Sequence, residues 1–332
     1  MKKINLAFAG FRHGHIYSLY EAAKACQEVT VSGAWEENQE AKAEAEHSHE
    51  VQFCYNTYEA LLKDPSVDAV AIGNYYGARG RMVIEALRAG KHVISDKPLC
   101  TSLAELSEIK KLSKEKKLQI GLMLDLRYDK NVLAAKSVMK EIGEVNNIYF
   151  GGQHPLLYGT RPGWYFEKGK HGGVINDIAV HGIDLIKFLT DLEPAEILAA
   201  RCWNKYASKE KQFQDSGQFM LRLDNNAGLI ADVSYAMPDS IGFQSEFYWD
   251  FRIWGTAGML AFSVNSDGAK LYKNGEQAVR IISGVTPSDN CLTNFVAAIN
   301  GSNAACPSTD EVLASSLHTL EIQGHSNKEG RS

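Results

Sequence analysis

The first 124 residues alternate short, nearly all-apolar runs with segments of helical spacing, and this alternation constrains the fold more than any other feature of the chain. Ile4 to Ala9 is such a run; it ends at Gly10, and Leu19, Ala22, Ala23 and Cys26 then recur at helical spacing. The reading is strand, tight turn, helix. Val29 to Trp35 reads as a second buried strand, and the Ala- and Glu-rich stretch from Asn38 to Glu46 as a helix by propensity. The series continues with a short helix over Thr57 to Leu62, a strand over Val67 to Ile72, and a helix from Arg79 to Ala89 ended by Gly90. A strand over Val93 to Ser95, a helix opening at Ser102 with Glu105 as capping-box partner, and a strand over Leu118 to Leu122 complete it. Buried strands alternating with helices predict an α/β fold, a doubly wound parallel sheet covered on both faces. Ligands on such sheets bind at the carboxyl ends of the strands, where Gly10, Glu36, Gly73 and Asp96 fall.

After about Asp125 the pattern changes. One helix, around Asn131 to Glu141, leads into Val145 to Gln153. Strand-like runs then follow at Ile197 to Trp203, Gln218 to Leu223, Gly228 to Tyr235 and Phe247 to Trp254. Consecutive strands without intervening helices predict an α+β domain with a large, open, mostly antiparallel sheet. Two helices, near Asn290 to Ile299 and from Ser308 to Gln323, follow the strands. The expected division is 1–124 for a ligand-binding domain and 125–332 for the second domain, consistent with 332 residues at roughly 100 to 200 per domain.

A formal charge of −5, with Lys and Arg scattered, gives no general attraction for nucleic acid or anionic lipid. Six widely spaced cysteines, Cys26, Cys54, Cys100, Cys202, Cys291 and Cys306, form no Cys-x-x-Cys pair, which points to reduced thiols and a cytoplasmic setting. The start, Met1-Lys2-Lys3 before an apolar run, imitates a signal peptide, but the run ends at Arg12 with no cleavage-like segment after it. No segment is long enough to span a membrane.

The stretch from Gly172 to Asp184 sets Asp177, His181 and Asp184 at i, i+4 and i+7, one stripe of a helix whose other positions are apolar. An imidazole one turn from a carboxylate is equipped for general acid-base chemistry. The alternative is structural: Asn176 or Asp177 caps the helix and His181 is a satisfied interior histidine. The same ligand types suit a divalent ion, but no further ligand is identifiable and no metal is expected.

A dinucleotide site needs close backbone approach to a diphosphate at the first turn and an acid after the second strand. Glu36, with Glu37 beside it, is placed to bind ribose hydroxyls and to repel a 2′-phosphate, which favours NAD over NADP. The turn Gly10-Phe11-Arg12-His13-Gly14-His15 keeps only the first glycine of the usual pattern in register, with Arg12 and His15 at the other two positions.

Asp96-Lys97-Pro98, preceded by Ala89-Gly90-Lys91-His92-Val93, resembles the Gfo/Idh/MocA family of glucose-fructose oxidoreductase and inositol dehydrogenase relatives. Gly172-Gly173 leading to Asp177, His181 and Asp184 is similar to a second motif of that family. So are Leu126-Arg127-Tyr128-Asp129 and Trp254-Gly255-Thr256-Ala257-Gly258 at their places. The resemblance implies a Rossmann domain followed by an α/β domain whose open sheet forms a homodimer or homotetramer interface. It implies hydride transfer between NAD and a hydroxyl-bearing carbon of a sugar, polyol or related compound. By matching positions, Lys97, Asp177 and His181 would be catalytic, with Gly10, Phe11, Arg12, His13, Glu36, Asn74, Asp96 and Lys97 on the cofactor.

The chain departs from the family pattern at Tyr75 and Arg79, where a Pro and a His are common. Substrate contacts are expected from Arg161, Trp164, Tyr165 and His171, since aromatic faces stack on sugar rings and the cations meet hydroxyls or a carboxylate. Gly169, Gly172 and Gly173 would let this segment move as a lid. Two competing functions remain: a nucleotide-sensing or scaffold protein without turnover, motivated by the degraded glycine turn, and a metal-assisted sugar lyase or isomerase.

Overall fold

A computed structural model describes residues 2–302 and 307–329. The chain divides into two compact units: 1–124 with 169–172 and 289–317, and 125–168 with 173–288 and 318–332. Two later segments thus return to the first unit, which a single cut after residue 124 does not provide for.

In the first unit, strands β1 (Ile4–Ala9), β2 (Val29–Trp35), β3 (Ala69–Ile72), β4 (His92–Ser95) and β5 (Ile120–Leu122) form one parallel sheet in the order β2-β1-β3-β4-β5. Helices α1 (His15–Ala25), α2 (Gln39–His49), α3 (Tyr58–Lys63), α4 (Tyr76–Arg88) and α5 (Leu103–Lys116) connect them. β3 and β5 are buried at every position and β4 at all but one, which is why these runs read as continuously apolar. The order reverses between β1 and β3, so the turns after Ala9 and Ile72 open a crevice at the carboxyl ends of the strands. α4 begins at Tyr76, three residues earlier than its apolar spacing suggested, and takes Arg79 into its first turn.

The second unit is built on an eight-stranded sheet in the order β13-β12-β11-β10-β6-β9-β8-β7, antiparallel except for β6 beside β9. Helix α6 (Lys130–Val138) precedes β6 (Val145–Pro155), and helix α7 (Val180–Thr190) precedes β7 (Pro194–Trp203). β8 (Ser216–Leu223), β9 (Gly228–Met237), β10 (Asp250–Gly255), β11 (Gly258–Ser263), β12 (Ala269–Lys273) and β13 (Arg280–Ile282) follow. The last three strands carry too little apolar alternation to be read from sequence, and β10 starts at Asp250, later than Phe247. Helices α8 (Cys291–Ile299) and α9 (Thr309–Glu329) end the described chain, α9 passing from the first unit to the second after Leu317.

One face of this sheet carries a row of phenylalanines. Phe150 lies 5.8 Å from Phe219 and 5.7 Å from Phe251, and Phe251 stacks on Phe262 at 5.0 Å. The opposite face leaves Leu198, Met220, Ile230, Trp254 and Tyr272 exposed.

Asp184 does not serve the stripe it was read into. Its carboxylate takes a bidentate pair of bonds from Arg127, at 2.7 Å to each nitrogen, and both residues are 1% exposed. Replacing one partner of a buried pair leaves an uncompensated charge, so Arg127→Met is expected to lower unfolding free energy by about 3–5 kcal/mol. Urea denaturation measures this loss, and a change below about 1 kcal/mol would refute the structural role.

Candidate functional site

In the first unit the site is built from three strand-end turns. Gly10, at φ +87°, must be glycine because a Cβ there would stand 2.7 Å from the Asn74 backbone nitrogen. Phe11 turns inward: its ring is 2% exposed and packs against Phe8, Tyr20 and Phe53, so its side chain is a core element instead of a cofactor contact. Its N–H donates to Glu36 Oε2 at 2.5 Å, and the Arg12 N–H donates to the Gly73 carbonyl at 3.0 Å. The Arg12 guanidinium stands 5.8 Å from the Tyr75 ring centre.

Glu36 is 6% exposed, and its other oxygen accepts the Asn38 N–H at 2.7 Å. Burial raises its pKa, and these two N–H groups with Arg12 oppose the rise. Both oxygens are already engaged, so a ribose would share the remaining lone pairs with the main chain. Asn74 is also held locally: its Oδ1 accepts the Tyr75 N–H at 2.8 Å and its Nδ2 reaches Glu37 at 3.5 Å.

Asp96, expected on the cofactor, is fully buried and is the anchor of the turns instead. Oδ2 accepts from Arg79 at 2.8 Å and from His13 Nδ1 at 2.5 Å, and Oδ1 accepts from His15 Nδ1 at 3.2 Å. Burial opposes its ionisation, but Arg79, His13 and His15 hold the carboxyl well below the usual carboxylate range. His13 moves the other way. Burial lowers its pKa to about 4 against the pull of Asp96, so at neutral pH it donates as an uncharged imidazole.

Arg79 is fully buried and joins two turns. Nε donates to the Asn74 carbonyl at 2.8 Å, and Nη1 donates to the carbonyls of Lys97 and Pro98. Lys97, 4% exposed at the end of β4 and followed by a cis peptide bond to Pro98, sets Nζ 6.0 Å from the centre of the Tyr76 ring. The same ring meets Arg79 at 4.6 Å, His13 at 5.4 Å and His171 at 5.4 Å. His171 was expected beside the substrate loop, yet it is buried within the first unit.

The second unit carries Asp177 and His181. Residues Ile175–Ala179 form a wider turn of π-helix before α7. Neither Asn176 nor Asp177 caps it. The N–H groups of Ile175 and Asn176 donate to Oε1 of Gln323 on α9, at 3.0 and 3.3 Å. Asp177, 2% exposed, accepts instead from the Tyr235 hydroxyl on β9, and His181, 7% exposed, meets Trp249 edge to face at 5.6 Å. Trp164 and Tyr165, expected as a stacking platform, are each 2% exposed with rings 4.2 Å apart, so both faces are covered. Arg161 donates to the carbonyls of Leu156 and Pro155 at 2.9 and 3.0 Å and lies 5.8 Å from the Tyr235 ring. Tyr235, Trp249, Tyr76 and the anchoring role of Arg79 were invisible in the sequence. Their partners lie far off along the chain or, for Arg79, the residue stood out only as a departure from a pattern.

Among the described residues, His13, His15 and Asp96 form the one group of possible metal ligands, with ligand atoms within 4.8 Å of one another. The shared carboxylate is already paired with a guanidinium, and Lys97 lowers the His13 pKa by its charge. α1 starts beside this group with no side chain bonded to its first turn, which suits a diphosphate.

Residues 4–123 match the model described as oxidoreductase family, NAD-binding Rossmann fold, and residues 132–261 match the GFO/IDH/MocA C-terminal domain. The chain belongs to the Gfo/Idh/MocA family. An oxidoreductase of Synechocystis is 27% identical over 71% of this chain and 65% of its own length. The 1,5-anhydro-D-fructose reductase of Ensifer adhaerens is 31% identical over 42% of this chain and 43% of its own. The chain therefore matches less than two thirds of the length of these curated relatives. A levoglucosan dehydrogenase solved with NADH and L-sorbose has the same fold, at a TM-score of 0.81 and 20% identity over 99% of this chain and 98% of that one.

A histidine held at about 4 binds its proton less readily in the folded chain than in the unfolded one, whose ordinary value is 6.5. Between those values the unfolded state takes up more protons, so stability falls as pH drops from 6.5 towards 4. Thermal unfolding across that window should show a shallower decline for His13→Gln than for the parent; equal slopes would place the acid sensitivity elsewhere.

Proposed function

We propose that the chain is an NAD(H)-dependent oxidoreductase that moves a hydride between nicotinamide and a CH–OH or C=O carbon of a sugar, polyol or related compound. One observation carries the reading: an NAD-binding Rossmann domain with Lys97 at the carboxyl end of β4 is followed in the same chain by the family's second domain with the buried Asp177 and His181. The names of the relatives, a sugar reductase and a sugar dehydrogenase solved with NADH, agree with it.

The bound cofactor supplies or accepts the hydride. Lys97 hydrogen-bonds the reacting oxygen, and its charge stabilises the developing alkoxide. His181 exchanges the proton, and Asp177, fixed by the Tyr235 hydroxyl, orients substrate or imidazole. Gly10, Arg12, His13 and Asn74 border the cofactor, and Glu36 meets its ribose and disfavours NADP. Arg161 stands on the substrate side, next to Tyr235.

The exposed apolar face with Leu198, Met220, Ile230 and Trp254 supports assembly of identical chains through the eight-stranded sheet. No disulfide joins Cys26, Cys54, Cys100, Cys202 and Cys291, which agrees with a cytoplasmic setting; Cys306 lies outside the described residues. No helix among the described residues is long and apolar enough to cross a membrane.

Titration with NADH and NADPH, followed by nicotinamide emission, should give the tighter binding for NADH; no binding of either would overturn the reading. With a turned-over sugar or polyol in hand, Lys97→Met and His181→Ala should each lower kcat by about 100-fold or more while NADH affinity stays within about threefold. In sedimentation, Ile230→Asp should shift the oligomer to monomer, and an unchanged sedimentation coefficient would remove the sheet as the interface.

A further inference from the structure

Residues 169–172 are a short strap that belongs to the first unit although they lie far along the chain from its other elements. The strap is seated on the first turn of α4. The Lys170 carbonyl accepts the Gly77 N–H at 2.8 Å, and the fit is close enough that a Cβ on Gly77 would stand 2.1 Å from the Gly169 carbonyl oxygen. This seating puts Lys170 Nζ 5.1 Å from the centre of the Tyr75 ring, the ring that also carries the Arg12 guanidinium at 5.8 Å. Tyr75 is the residue that opens α4, and Arg12 belongs to the turn that opens α1.

Two cations on one aromatic ring repel each other. The ring steadies both by cation–π attraction, and Arg12 also acts on Glu36. Their neighbourhood also lacks what a glycine-rich turn ordinarily offers a diphosphate. The Phe11 N–H is engaged by Glu36 and the Arg12 N–H by the Gly73 carbonyl, so these two amides are turned to the protein's own oxygens. Side-chain charge then makes up for these two amides in holding phosphate oxygens beside the start of α1.

Building on the NAD(H) reading, we propose that Lys170 is a cofactor ligand which, with Arg12 at the same Tyr75 ring, clamps the diphosphate of the dinucleotide. The strap carries this charge into the Rossmann domain from a segment outside its first 124 residues. Arg12 offers a planar fork and Lys170 a mobile point charge, so the pair grips a diphosphate without fixing its rotation. The segment read as a substrate lid thus serves the cofactor.

The test uses the full chain and three probes: NADH, ADP-ribose, which keeps the diphosphate, and adenosine, which lacks it. Lys170→Met should weaken NADH and ADP-ribose by about 10-fold or more, the scale of a lost charge-assisted hydrogen bond. Adenosine should stay within about twofold, and Lys170→Arg should keep most of the affinity for all three. Unchanged ADP-ribose affinity in Lys170→Met overturns the clamp, as does an equal loss for adenosine, which would mean a general distortion. If the parent chain binds neither NADH nor ADP-ribose, the NAD(H) reading itself has failed, and that result is separate from any effect of the substitution.

Discussion

A single buried carboxylate, Asp96, ties the ends of three parallel strands together. Through Arg79 it reaches the turn after β3 and the main chain of Lys97 and Pro98, and through His13 and His15 it reaches the turn after β1. Strand ends are where backbone groups lack sheet partners, so they are ordinarily the least determined part of such a fold. Here the pairing of one anion with a five-donor guanidinium determines them. Arg79 thereby anchors the main chain of Lys97 and Pro98, and the two histidines of the first turn, His13 and His15, answer the same carboxylate.

The second unit solves a related problem by different means. Asp177 and His181 start a helix with no cap of its own, and its opening turn is widened into a π-helix. The widened turn lets Asp177 meet Tyr235 on β9, while Asp184 is held by Arg127. Three acid-base groups that share a stripe by spacing are thus divided by packing: Asp184 is taken up by Arg127, while Asp177 and His181 face Tyr235 and Trp249. Beneath them the row of Phe219, Phe150, Phe251 and Phe262 crosses β8, β6, β10 and β11 on one face of the sheet.

The parallel sheet was legible because each buried strand is a short apolar run closed by a glycine or an acid, and each helix carries its own period. The family motifs were legible because Asp96-Lys97-Pro98 and the Asp177 to His181 spacing are local in sequence. What escaped was set by long-range contact. Neither Tyr76 under Lys97 nor Tyr235 on Asp177 has a local signature, and the strands from β11 onward are too short and too mixed to announce themselves. Trp164 and Tyr165 misled because an aromatic pair in a loop carries the same letters whether its faces are open or covered.

The start of the helix bearing His181 is satisfied by Gln323, a side chain near the end of the chain. Gln323 is 4% exposed, so those two amides have no easy recourse to water. The C-terminal helix is therefore not a tail to be trimmed for convenience. A frameshift or premature stop between residues 283 and 322 would spare every residue of both sheets and every residue proposed for chemistry, yet leave the opening turn of the helix bearing His181 without its acceptor.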